Sequence, residues 1–135
     1  MESIEHKSHE KFTLLELVLQ LHGEFRRSLE PIRVTPLQAG VLLFLCRRAD
    51  ASLTDATVAL RVRVPTLSEV VKDLVGKRWV IKRRSVTDAR AVCLSLSRRG
   101  LVMTRKIEQR VRQMNITLAE QDRKTLGLTW EGRRT

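Results

Sequence analysis

Side chains that can bond to bases and phosphates are concentrated near the start of a helical pattern at about residues 64–77. Thr66 and Ser68 can bond to either group, and Lys72 suits a phosphate. Glu69 could accept a hydrogen bond from a cytosine amino group, although a surface carboxylate beside Lys72 is the simpler interpretation. A helix in the major groove of DNA reads base edges with residues near its N-terminal end. The candidates for that role are Val64, Pro65, Thr66, Ser68, Glu69 and Lys72.

The positive charge of the chain is concentrated in the same region. The sequence has a formal net charge of +11, and residues 61–99 carry eleven basic and three acidic side chains, a net charge of +8. Such a surface repels itself and favours a polyanionic partner, although a charge run is more usually a solvated face. Aromatic residues make up only 4% of the chain, which argues against single-stranded nucleic acid, whose bases stack on exposed rings. Double-stranded DNA is therefore the expected partner.

Residue types that support catalysis or metal binding are few and poorly spaced. The histidines are His6, His9 and His22, and the two cysteines, Cys46 and Cys93, lie forty-seven positions apart. These spacings match no nucleophile or ligand pattern, so we expect neither an enzyme nor a bound metal or cofactor. Cys46 is expected to be a small buried hydrophobic residue and Cys93 an inert thiol.

Composition predicts one domain, residues 1–135, in the cytoplasm. Hydrophobic residues make up 42% of the chain, which is enough for a modest core. The apolar runs are too short to cross a bilayer, and the acidic start lacks the basic and apolar regions of a signal peptide. We expect no membrane partner.

Local signals define the elements that must position the candidate side chains. A helix over about residues 9–29 ends before Pro31, because proline disfavours helical backbone in the residue before it. Thr35-Pro36-Leu37-Gln38 and Ser52-Leu53-Thr54-Asp55 are capping boxes that start the next two helices. The second of these leads through a short turn into the helix at residues 64–77. This succession predicts a helix-turn-helix.

A change of period after Gly76 predicts a β-hairpin. A short strand-like run, Trp79–Ile81, is followed by a charged loop and then by Val92–Leu96, in which every second residue is a large apolar one. Ser97 then caps a helix to about Leu118, a short helical pattern continues to residue 128, and residues 129–135 form a tail. The expected fold is mainly α with a small antiparallel β-hairpin, a winged helix-turn-helix flanked by N- and C-terminal helices.

The two flanking helices carry wide apolar stripes at helical spacing. A terminal helix of a monomer has little use for so wide a stripe, which suggests that one side faces a second subunit. A central core helix is an equally good interpretation. The predicted dimer-interface residues are Leu14, Val18, Leu21 and Phe25 in the first helix and Ile107, Val111, Met114 and Leu118 in the last.

The order of elements and the segment from Asp88 to Gly100 resemble the MarR family of bacterial transcription regulators. The family pattern is D-x-R-x-x-x-L-x-L-T-x-x-G, and Asp88, Arg90, Leu94, Leu96 and Gly100 match it, with serine in place of threonine at position 97. The resemblance covers roughly residues 9–120. In this sequence an arginine replaces the common turn glycine at position 61, and Arg63 replaces the serine or threonine that usually caps the recognition helix.

The resemblance implies a homodimer in which residues 9–30 and 100–128 form the interface and residues 35–99 form the DNA-binding core. Each winged helix would occupy one half of a near-palindromic operator, as in a sequence-specific regulator, most simply a repressor. Arg90 would enter the minor groove and Asp88 would hold the wing loop in shape. The DNA-contact residues expected beyond the recognition helix are Arg61, Arg63, Lys82, Arg84, Asp88 and Arg90. The alternative is a winged-helix module that docks a protein instead of DNA.

The resemblance also implies an effector, because the family often binds small aromatic acids between the dimerisation helices and the winged helix. His22 and Arg26 lie one helical turn apart and could hold the carboxylate of such a ligand. A small aromatic acid is therefore the expected effector.

Overall fold

The computed structural model describes the backbone of residues 2–84 and 92–125 and the side chains of residues 13–84 and 92–114. Within these residues the chain is mainly helical, as the sequence predicts. The helices are α1 (Glu2–Leu29), α2 (Pro36–Arg47), α3 (Leu53–Leu60), α4 (Val64–Gly76) and α5 (Arg98–Thr125), and a 3₁₀ turn, Glu30–Ile32, follows α1. The strands are β1 (Ala51–Ser52), β2 (Val80–Arg84) and β3 (Val92–Leu96).

Capping boxes start two of the helices where the sequence predicts them. The Thr35 hydroxyl accepts a hydrogen bond from the Gln38 backbone N–H at 3.2 Å, and the Gln38 side chain accepts one from the Thr35 N–H at 3.0 Å. Ser52 and Asp55 exchange the same two bonds at 2.9 and 3.1 Å. Ser97 caps α5, since its hydroxyl accepts from the Gly100 N–H at 3.0 Å. Each cap gives a partner to N–H groups that the first helical turn leaves free.

The sheet has three antiparallel strands in the order β1-β3-β2, whereas the sequence predicts only the β2–β3 hairpin. The hairpin register pairs Val80 with Leu96 at its base and Arg84 with Val92 next to the wing loop. The additional strand, β1, pairs Ala51 with Leu94. Two residues are too short a run to give an alternating pattern, which is why the sequence did not indicate β1.

The core lies where α2, α4, α5 and the sheet meet. Its largest fully buried side chains come from several elements, and they include Leu42 of α2, Leu67 and Leu74 of α4, Leu94 of β3 and Ile107 of α5. Removing this much apolar surface from water is the main favourable term that holds the helices on the sheet. The winged helix and the long C-terminal helix therefore share one core.

Helix α5 is continuous from Arg98 to Thr125, so the prediction of a break near Leu118 is wrong. Neither glycine nor proline occurs between Leu101 and Thr125, and nothing in that stretch interrupts the backbone hydrogen bonds of a helix. The side chain of Leu118 lies outside the described residues.

The prediction that Cys46 is buried is also wrong, because its side chain is exposed. Helix α2 buries Val41, Leu42 and Leu45, and Cys46 belongs to the last turn beyond that face. Among the described residues, no single helix is long and apolar enough to span a membrane. The two segments Thr13–Ile32 and Pro36–Arg47, which are bent by 80° relative to each other, have that length and composition only when they are taken together.

Candidate nucleic-acid interface

Helix α4 divides into a buried and an exposed side. Leu67, Val71 and Leu74 are buried at helical spacing and fasten the helix to the core. In the sequence, the spacing of Val70, Val71 and Leu74 predicts this buried stripe but leaves out Leu67, although Leu67 lies four residues before Val71, at the same helical spacing. The opposite side is polar and exposed, and it presents Thr66, Ser68, Glu69 and Lys72. These are the side chains that the sequence predicts to face a partner.

The N-terminus of α4 has no side-chain cap. Arg63 occupies the capping position in an extended conformation (φ −69°, ψ 147°) and makes no capping hydrogen bond, as its replacement of serine or threonine predicts. Pro65 stands in the first turn, where its missing N–H costs nothing. The exposed residues Val64 and Pro65 lie beside these free N–H groups. A helix start in this state attracts anions, because the helix dipole is positive there.

The turn before α4 depends on a left-handed residue. Arg61 ends α3 with φ 54° and ψ 47°, and its N–H donates to the carbonyl of Thr57. Glycine adopts this conformation without strain, whereas in other residues it costs about 1 kcal/mol or more. The geometry explains why glycine is common at this position in the family and shows that the arginine preserves the turn.

Helix α3 is held at its start by Asp55. Hydrogen bonds from the backbone and then the hydroxyl of Ser52 lower the pKa of the Asp55 carboxyl, and the positive charge of Arg48 lowers it further. An Arg48 Nη2 atom lies 3.5 Å from Asp55 Oδ2. The ionised carboxylate therefore holds together the end of α2, the β1 strand and the first turn of α3.

A polar bridge fixes the C-terminal half of α4 to α2. Gln38 Nε2 donates to Asp73 Oδ2 at 2.5 Å, and Lys77 Nζ lies 3.5 Å from the same oxygen. Gln38 is largely buried and also closes the capping box of α2, so both ends of its amide are occupied. The sequence gives no sign of this contact, since its partners are 35 residues apart. The bridge restricts rotation of α4 about its own axis.

Strand β2 adds a second exposed basic surface beside α4. Lys82, Arg83 and Arg84 are exposed, and β2 contacts α4 directly. The loop that follows lies outside the described residues, and it includes the predicted contacts Asp88 and Arg90. Of the predicted DNA-contact residues, those on α4, those in the preceding turn, and Lys82 and Arg84 are all exposed.

Gly100 holds the base of the hairpin against α5. A Cβ atom at this position would lie 2.9 Å from the carbonyl carbon of Trp79 and closer still to its oxygen, so only glycine permits the contact. The Trp79 carbonyl also accepts from the Ser97 N–H at 3.0 Å. The glycine of the family pattern is thus a packing requirement that sets the direction in which the hairpin leaves the core.

The predicted interface residues fall into two groups. Leu14 and Val18 are exposed on α1, and Leu21 and Phe25 are half-buried. On α5 the situation differs, because Ile107 is fully buried, Met114 is buried and Val111 packs partly against the core of the same chain. The assignment of Ile107 to a dimer interface is therefore wrong, since no surface of its side chain remains for a partner.

The predicted ligand residues, His22 and Arg26, are both exposed on α1. A shallow cavity of about 350 Å³ lies between α1 and α5, and the residues that line it are Glu24, Arg27, Ser28, Arg110, Gln113 and Met114. His22 and Arg26 are not among them. Arg110 of α5 also joins the two helices, because its Nη1 donates a hydrogen bond to the carbonyl of Ser28 of α1 at 2.9 Å.

Comparison with known proteins gives one family match and many structural ones. The model of the MarR family matches residues 34–91, and no curated protein sequence gives a significant match. The crystal structure of a mutant MarR from E. coli complexed with operator DNA has 23% identity and a TM-score of 0.74, and the alignment covers 81% of this chain and 79% of that one.

Two further structures are similar to the same extent. The transcriptional repressor CouR bound to a 23-mer DNA duplex has 22% identity and a TM-score of 0.75, covering 86% of this chain and 85% of that one. The S. aureus MepR–DNA complex has 19% identity and a TM-score of 0.76, covering 82% of each chain. The MarR family model thus matches the central residues 34–91, and the fold of this chain is shared with these three structures over more than four fifths of its length.

Proposed function

We propose that this chain is a transcriptional regulator that binds double-stranded DNA sequence-specifically, as a homodimer on a pseudo-palindromic operator, and that it represses transcription. The observation that carries the proposal is the exposed polar side of α4. Thr66, Ser68 and Lys72 stand there beside an uncapped helix start, while Leu67 and its buried neighbours hold the helix rigidly on the core. Polar residues at the start of a rigidly held helix suit the major groove.

The charge around α4 supports a duplex as partner. Lys82, Arg83 and Arg84 are exposed on the strand that contacts α4, so cations flank the helix on the side of the wing. Cations in such positions neutralise phosphates and orient the protein, whereas the hydroxyl contacts of the helix discriminate among bases. A winged helix that docks another protein needs a neutral or apolar recognition face, which this chain does not present on α4.

The comparisons add support of a second kind. MarR, CouR and MepR were each solved with DNA, and CouR is described as a transcriptional repressor. This chain shares their fold over more than four fifths of its length. A common fold is a weaker argument than a common site, so the proposal depends first on α4 and β2.

The test measures binding of the purified chain to the duplex upstream of its own gene and to a shuffled duplex of equal composition. At about 0.15 M salt we expect the upstream duplex to bind at least about a thousandfold more tightly, as specific regulators do. Equal affinity for the two duplexes would refute sequence-specific regulation. A salt slope near zero would favour the protein-docking module, because phosphate contacts always release counterions.

Two variants separate phosphate contacts from base contacts. Lys72→Ala should weaken both duplexes alike and reduce the salt slope by about one unit. Lys106→Ala, an exposed cation on α5, is the matched control and should change neither. Ser68→Ala should lower the ratio between upstream and shuffled duplex by about fivefold to 150-fold, since one lost base contact costs about 1–3 kcal/mol.

The homodimer is proposed from the apolar surface of α1. Leu14, Leu15, Val18 and Leu19 are all more than half exposed in the isolated chain. These large apolar side chains lie within about two helical turns and form a contiguous patch, and such patches in proteins of this size mark contact surfaces. A second copy of the chain is the simplest occupant, because two recognition helices are needed to read the two halves of a palindromic site.

An aromatic acid effector remains part of the proposal. His22 and Arg26 are exposed one turn apart on α1, so both could reach the carboxylate of a ligand bound at the dimer contact. A panel of benzoate-type acids should raise the melting temperature of the wild type and not that of Arg26→Ala. Arg27→Ala is the matched control, and equal shifts in all three proteins would remove Arg26 from the site.

A further inference from the structure

We infer that a second site, at the end of α4 away from its DNA-reading end, binds a small anion with more than one negative charge, of the phosphate or diphosphate class. The site is a pocket of about 450 Å³ between the 3₁₀ turn, the end of α4 and the first turn of α5. Ile32, Gly76 and Trp79 form its apolar part. We call it the basic pocket, and its cations are Arg33, Lys77, Arg78 and Arg99.

The charges of the basic pocket are almost uncompensated. Its lining includes four cations from three separate chain segments and no carboxylate. Lys77 shares its charge with Asp73, whose Oδ2 lies 3.5 Å from Lys77 Nζ. Arg33, Arg78 and Arg99 are exposed, and none of the ion pairs among the described residues includes them. Like charges around one concavity repel one another, and an anion bound there removes that repulsion.

Helix dipoles explain only part of this arrangement. Lys77 and Arg78 follow the C-terminus of α4, where cations are favourable. Arg99 lies in the first turn of α5, where the helix dipole is positive and a cation is unfavourable. Its positive charge therefore adds to the positive end of the dipole, and its side chain lines the pocket. The combination suits an anion and has no use in stabilising α5.

Two of the cations hold unusual backbone conformations. Arg33 and Arg78 have φ angles of 57° and 64°, in the left-handed region that favours glycine. At each position a glycine would keep the turn without strain, yet the chain presents a long basic side chain to the pocket. These residues therefore contribute something other than the turn itself.

Trp79 supplies a flat apolar wall. Its ring is half-buried, and Lys77 Nζ lies 5.0 Å from the ring centroid, within the range of a cation–π contact. This contact holds the lysine at the rim of the pocket. The guanidinium groups can bond to phosphate oxygens in pairs, and the indole face can accept a sugar or base attached to the phosphate.

The position of the pocket argues against DNA as its occupant. It adjoins the base of the hairpin, about 13 Å along β2 from the wing loop at a rise of about 3.3 Å per residue. It also lies at the C-terminal end of α4, about 20 Å from the reading end at a rise of about 1.5 Å per residue. Both lengths separate the pocket from the reading end of α4 and from the wing loop, the two elements proposed to contact the duplex. A small anionic ligand would explain why the four cations of the basic pocket lie outside the proposed DNA-binding surface.

The experiment uses the intrinsic fluorescence of Trp79. The chain has two tryptophans, so Trp130→Phe leaves Trp79 as the reporter. Pyrophosphate, added at constant ionic strength set with chloride, should change the emission along a saturable curve. Adenosine 5′-diphosphate should give the same saturation if the charges alone bind, and a tighter curve if a base or sugar also contacts the indole. A linear, non-saturating response to both probes would overturn the proposal.

Neighbouring arginines provide the matched controls. Arg99→Gln should weaken pyrophosphate binding by about tenfold, the usual effect of one charge-assisted contact, whereas Arg98→Gln, exposed on the same turn outside the pocket, should not. Arg78→Gly removes a cation and also relieves its left-handed strain, so this variant should fold at least as well and still bind more weakly. Equal affinities in all of these variants would overturn the proposal.

DNA provides the last arm of the test. If the upstream duplex displaced pyrophosphate from the wild type but not from Arg99→Gln, the pocket would belong to the DNA surface and the inference would fail. Pyrophosphate binding that is additive with DNA, or that changes DNA affinity without competing, supports a separate site. DNA binding itself is measured independently, so failure of the pocket leaves the regulator proposal intact.

Discussion

Helices α1 and α5 have the same length and the same kind of sequence pattern, but they use their apolar faces differently. Each is 28 residues long. On α5, Ile107 is 0% exposed, whereas Leu14 and Leu19 on α1 are 66% and 63% exposed. Helical periodicity thus identifies an apolar face that favours burial. It does not show whether residues of the same chain or of another chain cover that face.

The position of each helix in the chain explains the difference. Helix α5 follows β3 directly, and it contacts α2, α1 and the sheet. Its polar residue Thr104 is fully buried and satisfies itself by donating to the Gly100 carbonyl at 2.7 Å. Among the described side chains of α1, only Leu29, at its C-terminal end, is buried in the core. The exposed stripe, which extends to Leu19, ends about three turns before that point.

The largest expected effect comes from Ile107 at the buried contact of α5. Ile107→Ala should lower the free energy of unfolding by about 2–5 kcal/mol, because it leaves a cavity in a packed core. Leu19→Ala on α1 removes a side chain of similar size that is already in water, so its effect should stay within about 0.5 kcal/mol. Urea denaturation at concentrations where the chain is monomeric measures both. Similar losses in the two variants would contradict the contrast between the helices.

Replacing a glycine by alanine should have opposite effects on stability in the two helices. A Cβ atom on Gly100 of α5 would meet the backbone carbonyl of Trp79, its carbon at 2.9 Å, whereas one on Gly23 of α1 would meet nothing within 4 Å. Gly100→Ala should therefore cost about 1–3 kcal/mol or more through overpacking. Gly23→Ala should stabilise the helix by about 1 kcal/mol. Urea midpoints that move in the same direction would refute the packing described for Gly100.

Local signals in the sequence predict much of this fold, and long-range contacts explain what they miss. Thr35 and Ser52 start helices as predicted, because a capping box involves only four consecutive residues. The exposed polar side of α4 follows from the spacing of Val71 and Leu74, and the same signal extends to Leu67. These features do not depend on how distant parts of the chain meet.

The failures concern residues whose environment is set by distant partners. Strand β1 exists only because Ala51 pairs with Leu94, and the bridge to α4 exists only because Gln38 meets Asp73. Burial of Ile107 in its own chain depends likewise on where α5 crosses α2 and α1. No pattern within a single helix could distinguish that outcome from a dimer contact.

Arg110 tests the hydrogen bond that joins the two helices. Its guanidinium donates to the Ser28 carbonyl near the end of α1, which lacks a helical partner for its last carbonyl groups. Arg110→Gln should lower the free energy of unfolding by about 1 kcal/mol, since the site is only part-buried. Arg112→Gln, an exposed neighbour on the same helix, is the control and should change stability by less than about 0.5 kcal/mol. Equal effects would show that Arg110 acts only through net charge.

The smallest effect on folding should come from the exposed stripe of α1, where the effect on assembly should be complete. Leu14→Ser with Val18→Ser changes two side chains that are 66% and 55% exposed, so the unfolding of the monomer should hardly change. Sedimentation should show a dimer for the wild type and a monomer for the double variant. Val58→Ser, which alters an isolated apolar residue of α3 that is 72% exposed, should remain dimeric. If the double variant also stays dimeric, α1 does not form the contact through these residues. If Val58→Ser becomes monomeric, the association surface lies on the winged helix, and the contrast between α1 and α5 has another cause.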